Sequence, residues 1–479
     1  MSADQQSIDL LYDEQEQNET FRNQLTTVDD KGKRIWLYPK KPTGKFFKKR
    51  TLVSIALLTF LITGPFLKIN GEPLLLLNIF ERKFVLLGQV FWPQDFHLFA
   101  IGFITFIVFI ILFTVVYGRV FCGWICPQTI FMEFIFRRIE YAIEGDYTAQ
   151  RKLDKAPWTG QKVFRKTAKH FLFVLVSAVI MHTFMAYLVG VEQTWQIITS
   201  SPADNMAGFS AMIVLTGLFY GVFSRMREQV CTTICPYGRL QGVLLDKNSM
   251  VVAYDHVRGE NRGKFRKKQD RKTEGLGDCI DCKQCVFVCP MGIDIRNGTQ
   301  LECTNCTACI DACDSIMTKV NQPTGLIRYA SEEGIRTSKP FRFTKRMIAY
   351  TVVLFLLLTL SASQLLLRSD VEATILRTPG ILYQQRDDGT ISNLYNLKVV
   401  NKTNRAMLVS LVPEDESVLI EVVGDTLRLE PNATGDGSFF LIKHRDEVQQ
   451  ISTKLSIDVY ADGKKIDRVK TRFLGPGKK

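Results

Sequence analysis

Eight of the twelve cysteines in this 479-residue chain lie in one short stretch, between Asp278 and Asp314. They form two runs of the same spacing, C-x2-C-x2-C-x3-C, and the first run is followed by Pro290. In such a run, three thiolates bind one [4Fe–4S] cluster and the fourth cysteine reaches the neighbouring cluster. We therefore predict two [4Fe–4S] clusters with crossed ligands. The first cluster is assigned Cys279, Cys282, Cys285 and Cys313, and the second is assigned Cys303, Cys306, Cys309 and Cys289.

Other uses of cysteine fit this pattern less well. Structural zinc sites favour two C-x2-C pairs set well apart, and disulfide frameworks are typical of short secreted chains. The two runs therefore indicate electron transfer, although they do not identify the donor or the acceptor.

The other four cysteines form two copies of a shorter motif, C-x3-C-P, which begin 109 residues apart (231 − 122). If each helix continues through its motif, the two thiols share a face with Cβ atoms about 5–6 Å apart, and the proline ends the helix beyond them. Two such thiolates can hold a soft ion such as Cu(I). A dithiol redox pair and a structural or cluster-supporting role remain open. The candidate copper ligands and catalytic residues are Cys122, Cys126, Cys231 and Cys235.

Basic residues lie close to both C-x3-C-P motifs. We expect their charge to lower the thiol pKa values and so favour the thiolates that bind metal. The residues are Arg119, Arg225, Arg227 and Arg239. His97 and His182 fall in apolar segments, where a polar side chain often serves helix packing rather than cofactor binding.

Apolar blocks flanked by Lys and Arg predict a membrane protein. The formal net charge is +13, and the basic residues cluster at the block edges, where they set topology and contact anionic lipids. Nucleic-acid binding is not favoured, because no fold motif for it accompanies the charge. The predicted spans are residues 51–67, 97–117, 170–189, 207–223 and 347–367.

The distribution of Lys and Arg predicts which segments face the cytoplasm. A polar, acidic tail at 1–30 is expected to be disordered and is not a signal peptide, and a basic collar follows at 31–50. The four-span region at 51–239 carries both C-x3-C-P motifs, and the basic segment at 240–346 carries the eight-cysteine runs. Five crossings then place the collar, both motifs and the eight-cysteine runs inside, and residues 370–479 outside.

Two further patterns describe the architecture. Spans one and two with the first motif, and spans three and four with the second, resemble an internal duplication. Residues 370–479 alternate between apolar and polar side chains in about seven short runs, which is typical of an immunoglobulin-like β-sandwich. Turns are predicted at Asp388-Gly389, Gly435-Asp436-Gly437 and Asp462-Gly463.

Together these features resemble the CcoG family, also called FixG or RdxA, of polyferredoxin-type accessory proteins in cbb3-type cytochrome c oxidase assembly. The resemblance rests on the motifs VFCGWICPQT and VCTTICPYGR, the run ending CTNCTACIDACD, and the terminal sandwich. It implies a five-helix membrane bundle with an inserted cytoplasmic two-cluster ferredoxin-like domain and a periplasmic immunoglobulin-like domain, in the bacterial inner membrane.

The function implied by the resemblance is reduction of Cu(II) to Cu(I) for delivery to the oxidase. The partners implied are a copper-exporting P-type ATPase, small membrane assembly proteins and oxidase subunits, together with an electron donor that the sequence does not identify. Two alternatives remain: an electron conduit between a quinol or soluble donor and another membrane redox protein, and an assembly scaffold without catalysis.

Overall fold

The structure is a computed structural model. It describes residues 27–28, 31, 33–69, 71–80, 83–86, 88–91, 95–266, 271, 273–338, 343–367, 371–380, 382–403, 405–424, 427–431 and 433–476. The predicted tail at 1–30 lies outside this part of the chain, apart from Thr27 and Val28. The chain divides into two compact units, one comprising Met1–Pro65 with Ala100–Thr359, and the other Phe66–Phe99 with Leu360–Lys479.

The first unit is mainly helical. Its helices, including two that continue into the second unit, are α1 (Lys45–Thr63), α2 (Phe96–Tyr117), α3 (Val120–Trp124), α4 (Pro127–Phe131), α5 (Arg137–Ile143), α6 (Tyr147–Lys155), α7 (Gly160–Val189), α8 (Val191–Thr199), α9 (Met206–Gly221), α10 (Pro236–Leu244), α11 (His256–Gly259), α12 (Gln284–Phe287), α13 (Ala308–Lys319), α14 (Glu332–Thr337) and α15 (Lys345–Leu366). Three single π-helical turns cover Met132–Phe136, Val222–Met226 and Val230–Ile234.

Among the described residues, four helices are long and apolar enough to cross a membrane: α2, α7, α9 with the turn that follows it, and α15. Helix α1 does not meet that criterion, because its first six residues include Lys45, Lys48, Lys49 and Arg50. The predicted first span therefore begins inside a helix whose basic end belongs to the collar. A membrane crossing by α1 stays a prediction.

Helix α7 begins at Gly160, ten residues before the predicted third span (170 − 160). The Thr159 side chain accepts a hydrogen bond from the Lys162 amide and caps the helix, so the basic turn ahead of the apolar stretch is also helical. The predicted starts of α2 and α9 agree with the structure within one residue.

The eight-cysteine runs lie between two short strands, β6 (Val251–Tyr254) and β7 (Ile327–Ala330), which pair antiparallel. Every residue of β6 is buried. Val252 and Tyr254 pack with Ile327 in the same apolar core as the cysteines. The two strands therefore close the segment that carries the runs.

The second unit is built from strands. They are β1 (Lys68–Ile69), β2 (Glu72–Pro73), β3 (Leu75–Asn78), β4 (Lys83–Leu86), β5 (Gln89–Phe91), β8 (Val371–Arg377), β9 (Gln384–Gln385), β10 (Thr390–Asn401), β11 (Met407–Pro413), β12 (Val418–Val423), β13 (Arg428–Leu429), β14 (Thr434–His444), β15 (Ser452–Ala461) and β16 (Lys464–Leu474). A three-stranded meander, β3–β4–β5, precedes α2.

Two antiparallel sheets form the C-terminal sandwich. One has the order β12–β14–β10–β8, with β9 also paired to β10, and the other has the order β13–β11–β15–β16. Tyr395 and Phe439 stack in the core with ring centroids 5.5 Å apart. Alternating burial along β10 and β15 explains why the sequence pattern predicted these strands.

One predicted turn is wrong. Gly435, Asp436 and Gly437 lie inside β14 rather than between strands. A Cβ atom on Gly435 would lie 2.2 Å from Leu429 Cδ2, so the glycine is needed for close packing against β13. Asp388-Gly389 and Asp462-Gly463 do form turns, and both glycines have positive φ angles.

Candidate redox site

Two cavities in the first unit are lined by the eight cysteines of the double run. The first is lined by Cys279, Cys282, Cys285 and Cys313. The second is lined by Cys289, Cys303, Cys306 and Cys309, with Cys285 on its wall as well. The structure thus brings together the cysteines that the crossed assignment grouped. Because Cys285 contributes to both walls, the two cavities are neighbours.

The cavity walls fit iron–sulfur clusters. Around the sulfur atoms they are mostly apolar, with Ile316, Met317 and Leu326 at the first cavity and Val252 and Ile293 at the second. Four cysteine sulfurs in an apolar, largely buried pocket are the donor set that a [4Fe–4S] cluster uses. The assignment of each cysteine to its cluster stays a prediction.

The two ligand loops have the same backbone shape. In each run, the residues on both sides of the second cysteine have positive φ angles: Asp281 and Lys283 around Cys282, and Asn305 and Thr307 around Cys306. Alternation of left-handed and right-handed residues turns successive N–H groups toward one concave side, a geometry found around anionic iron–sulfur sites. In each run a helix, α12 or α13, begins after the second of these residues and carries the third cysteine.

Burial raises the pKa values of five of these thiols. It raises the pKa of Cys285 to about 12 and that of Cys303 to about 11. Burial is also the main cause of the raised pKa values of Cys289, Cys309 and Cys313. A metal centre that takes these sulfurs as thiolates must therefore displace protons as it binds.

The C-x3-C-P motifs do not continue a helix as expected. In each motif the amide of the second cysteine donates to the carbonyl five residues earlier, Cys126 to Phe121 at 2.9 Å and Cys235 to Val230 at 2.8 Å. The proline begins the next helix, α4 or α10, at its first position. Proline suits that position because its fixed φ is helical and its missing N–H is not needed there. The matching geometry of the two copies agrees with a duplication.

The first motif packs directly against the loop of the second cysteine run. Gly123 lies between Cys122 and Cys126, and a Cβ atom there would lie 2.5 Å from the Thr304 carbonyl oxygen and 2.9 Å from Cys306 Cα. Only glycine permits this approach. Cys231 of the second motif packs in the apolar core that contains the double run. Packing at Gly123 and Cys231 therefore joins both C-x3-C-P motifs to the double run.

A buried arginine and glutamine support the thiol of Cys122. The Arg119 guanidinium donates to the Gln241 side-chain oxygen, and Gln241 Nε2 donates to Cys122 Sγ at 3.4 Å. Arg119 also donates to the Gly238 carbonyl, in the second motif. Gln241 is fully buried. This pair therefore connects the two C-x3-C-P motifs.

The expected lowering of thiol pKa values by arginine is wrong. Burial raises the pKa values of Cys122, Cys126 and Cys231, the last to about 12. At Cys122 and Cys231 burial outweighs the opposing charge of Arg119. Arg227 is instead paired with Glu140 at 2.5 Å. The loss of water destabilises a thiolate here by more than one nearby cation stabilises it.

The four thiols of the two motifs are close enough for their charges to interact, since those of Cys122, Cys126 and Cys235 all act on Cys231. Among the described residues, however, no three His, Cys, Asp or Glu side chains are arranged around a single metal ion.

Further residues hold this assembly together and have no signal in the sequence. The Asp311 carboxylate accepts from the amides of Phe46 and Phe47 at 3.1 and 2.8 Å, so α13 caps the N-terminus of α1. Trp124 Nε1 donates to the Tyr329 hydroxyl, which donates to the Asn305 carbonyl at 3.1 Å. Capping partners so distant in sequence cannot be found by spacing. By contrast, the glycines inside CGWIC and CPYG were visible signals of close packing.

Comparison with known proteins identifies three regions. Residues 226–332 match a "4Fe-4S dicluster domain", residues 99–144 match a "4Fe-4S binding domain", and residues 362–476 match the "IG-like fold at C-terminal of FixG".

Three relatives are similar over most of the chain. The nitrogen fixation protein FixG of Rhizobium meliloti is 32% identical over 85% of this chain and 83% of its own. Proteins RdxA and RdxB of Cereibacter sphaeroides are 33% and 34% identical, over 83% and 78% of this chain and 87% and 81% of their own.

Proposed function

Because the chain belongs to the FixG/RdxA family, we propose that it is a membrane-bound iron–sulfur oxidoreductase that reduces Cu(II) to Cu(I) during assembly of a cbb3-type cytochrome c oxidase. The iron–sulfur part of this proposal has direct support in the dicluster match over residues 226–332. The copper part rests on the thiol chemistry of the two C-x3-C-P motifs.

The residues assigned to the clusters are the two cavity-lining sets, Cys279, Cys282, Cys285 and Cys313, and Cys289, Cys303, Cys306 and Cys309. When bound, the clusters supply single electrons, which matches a one-electron reduction of a metal ion. The protein packs the proposed acceptor site against the loop of the second cysteine set. The observation that carries the proposal is the backbone approach of Gly123 to Thr304 and Cys306.

The acceptor site is assigned to Cys122, Cys126, Cys231 and Cys235, with copper as substrate. Cu(II) gains one electron and becomes Cu(I), and thiolates bind Cu(I) in preference to Cu(II). Binding of the reduced product therefore adds to the driving force for reduction. The buried Arg119 and Gln241 orient the Cys122 sulfur and offset part of the negative charge of a thiolate.

The same proposal includes a topology and partners. The N-terminal collar, both motifs and the cluster-bearing segment lie on the cytoplasmic side of the bacterial inner membrane, and the sandwich lies in the periplasm. Helix α1 is the first of five crossings. Partners are a copper-exporting P-type ATPase, small membrane assembly proteins and the oxidase subunits that receive copper.

The test uses purified full-length protein reduced with dithionite under anaerobic conditions. Iron, sulfide and copper contents are measured, and electron paramagnetic resonance is recorded before and after addition of Cu(II). We expect the cluster signals to be lost as the Cu(II) signal disappears. Replacing Cys122, Cys126, Cys231 and Cys235 with serine should abolish Cu(II) reduction while leaving the iron of the eight-cysteine run in place. Unchanged reduction by that variant would refute the copper assignment.

A second candidate function is electron relay, with the four motif cysteines holding an iron–sulfur centre of their own. The observation that favours it is the match of residues 99–144 to a 4Fe-4S binding domain, since Cys122 and Cys126 are the cysteines in that range. The metal content separates the two functions. Iron lost from the four-serine variant would support the relay, whereas loss of copper binding with iron unchanged would support the copper reductase.

A further inference from the structure

The first cysteine set includes an exposed ligand, whereas the second does not. All twelve cysteines lie in the described part of the chain, and Cys282 is the exposed one among them. Its neighbour Lys283 is exposed as well. The loop that carries Cys303 and Cys306 packs against Gly123. An electron that comes from solution therefore meets the first set.

A basic segment is folded against this exposed set. The Gly263 amide donates to the Cys279 carbonyl at 3.2 Å. The buried Arg271 guanidinium donates to the carbonyls of Gly263 at 3.1 Å and Cys279 at 2.9 Å, which holds the segment beside the ligand loop. The two basic residues after Gly263, Lys264 and Arg266, are exposed.

Three exposed cations near the first ligand loop are not used by the ion pairs there. Asp278 is paired with Arg258 and Glu260 with Arg262, while Arg296 is shared by Asp281 and Asp294. One carboxylate thus remains unmatched in these groups. Against it stand three cations that form no ion pair with the described residues: Lys264, Arg266 and Lys283.

We propose that this basic rim, defined as Lys264, Arg266 and Lys283 beside the ligand loop of the first set, is the docking surface for an acidic soluble one-electron carrier protein. The inference rests on the proposed function, because it names the partner that supplies its electrons. One electron leaves the reduced carrier and enters the centre assigned to Cys279, Cys282, Cys285 and Cys313, and no bond is made or broken.

An acidic protein fits this surface better than a lipid surface does. Lys283 directly follows the exposed ligand Cys282 in the chain, and Lys264 and Arg266 follow Gly263, whose amide is bonded to the Cys279 carbonyl. The rim includes no long apolar stretch that would enter a bilayer. Complementary charge steers such transient redox partners and raises their association rate, while the contact itself stays small.

The test measures association of a [2Fe–2S] ferredoxin of net negative charge with the full-length protein in phosphatidylcholine nanodiscs. The variant is Lys264→Glu/Arg266→Glu, whose side chains line neither cavity. The matched control is Lys247→Glu/Arg336→Glu, which makes the same change in net charge at α14, where the Glu333 amide donates to the Lys247 carbonyl. We measure the ferredoxin dissociation constant and the second-order rate at which reduced ferredoxin bleaches the cluster absorbance.

For Lys264→Glu/Arg266→Glu at low ionic strength, we expect the dissociation constant to rise and the second-order rate to fall, each on the order of tenfold. The difference from the control should shrink as salt screens the charges. The milder Lys264→Gln/Arg266→Gln should fall between the two. Iron content and absorbance confirm that each variant is folded. Unchanged ferredoxin binding, or equal loss in the control, would overturn the proposal. Loss of binding to phosphatidylglycerol vesicles with unchanged ferredoxin binding would assign the rim to lipid and also overturn it.

The result is separable from the proposed function. Cu(II) reduction by dithionite-reduced protein bypasses the carrier, and it should be the same in Lys264→Glu/Arg266→Glu as in the wild type. Failure of the wild type in that assay counts against copper reduction, whereas failure of the charge reversal to weaken ferredoxin binding counts against the docking surface.

Discussion

Replacing Gly123 with alanine should separate the acceptor motif from the second cysteine set. The added Cβ would lie 2.5 Å from the Thr304 carbonyl oxygen, whereas ordinary contact begins at 3.4 Å, so the loop must retreat by about 0.9 Å (3.4 − 2.5). The atoms in the way belong to the backbone around Cys306 and cannot rotate aside. Overpacking of this kind costs about 1–3 kcal/mol. We expect a lower melting temperature and slower electron delivery to Cu(II).

The assay is stopped-flow absorbance of dithionite-reduced protein mixed with Cu(II), in which the cluster absorbance returns as electrons leave. Two alanine variants serve as controls. Gly238→Ala places a Cβ 2.4 Å from the Cys231 carbonyl oxygen, which strains the second motif without touching the loop of the second set. Gly217→Ala in α9 meets nothing within 4 Å and should behave as the wild type.

Two results would refute the reasoning. If the cluster absorbance of Gly123→Ala recovers as fast as that of Gly217→Ala at equal iron content, the contact at Thr304 is not part of the route of electrons to Cu(II). If Gly238→Ala is slowed as much as Gly123→Ala, the effect arises inside the motifs rather than at their contact with the loop.

Three further predictions follow from other contacts. Asp311→Asn removes an acceptor and a negative charge from the N-terminus of α1 and should lower the unfolding free energy by about 1–2 kcal/mol, measured by thermal unfolding beside the exposed Asp446→Asn; an equal melting temperature for both would contradict the capping role. Gln241→Leu removes the hydrogen bond to Cys122 Sγ and should weaken Cu(I) binding, measured by competition with a chelator, while the iron content stays constant; unchanged affinity would mean that the bond does not reach the metal site. Gly435→Ala should destabilise the sandwich by about 1–3 kcal/mol because of Leu429, whereas Gly437→Ala, with its nearest atom at 3.7 Å, should cost less; the reverse order in differential scanning calorimetry would exclude packing as the reason for Gly435.

Sequence patterns predicted much of the architecture because those features are local. Alternation of apolar and polar residues predicted β10 and β15, and continuous apolar stretches predicted α2, α7, α9 and α15. Both patterns can be recognised within a single segment of the chain. The family relationship inferred from the motifs is confirmed by relatives at 32–34% identity. The patterns failed where packing reassigns a local signal. The sequence Gly435-Asp436-Gly437 is typical of a turn, but it lies in a strand that packs against Leu429. Pro127 and Pro236 were expected to end helices, but each of them begins one.

The sequence also could not predict the direction in which the thiol pKa values shift. Arg119 lies beside Cys122 as expected, but the chain gives no measure of how much water the fold removes from Cys122 and Cys231. That loss dominates and raises their pKa values.

The sequence by itself determined the kind of chemistry. The first three cysteines of each run must fold round one centre, because the two residues between neighbours are too few to reach elsewhere, so the spacing encodes three ligands of each cysteine set. Tertiary structure decided what the sets face. It brought Gly123 against Thr304, 181 residues away (304 − 123), left Cys282 at the surface, and placed Gln241 on Cys122. Contacts so distant in sequence depend on how buried helices and loops pack, and no local spacing records them.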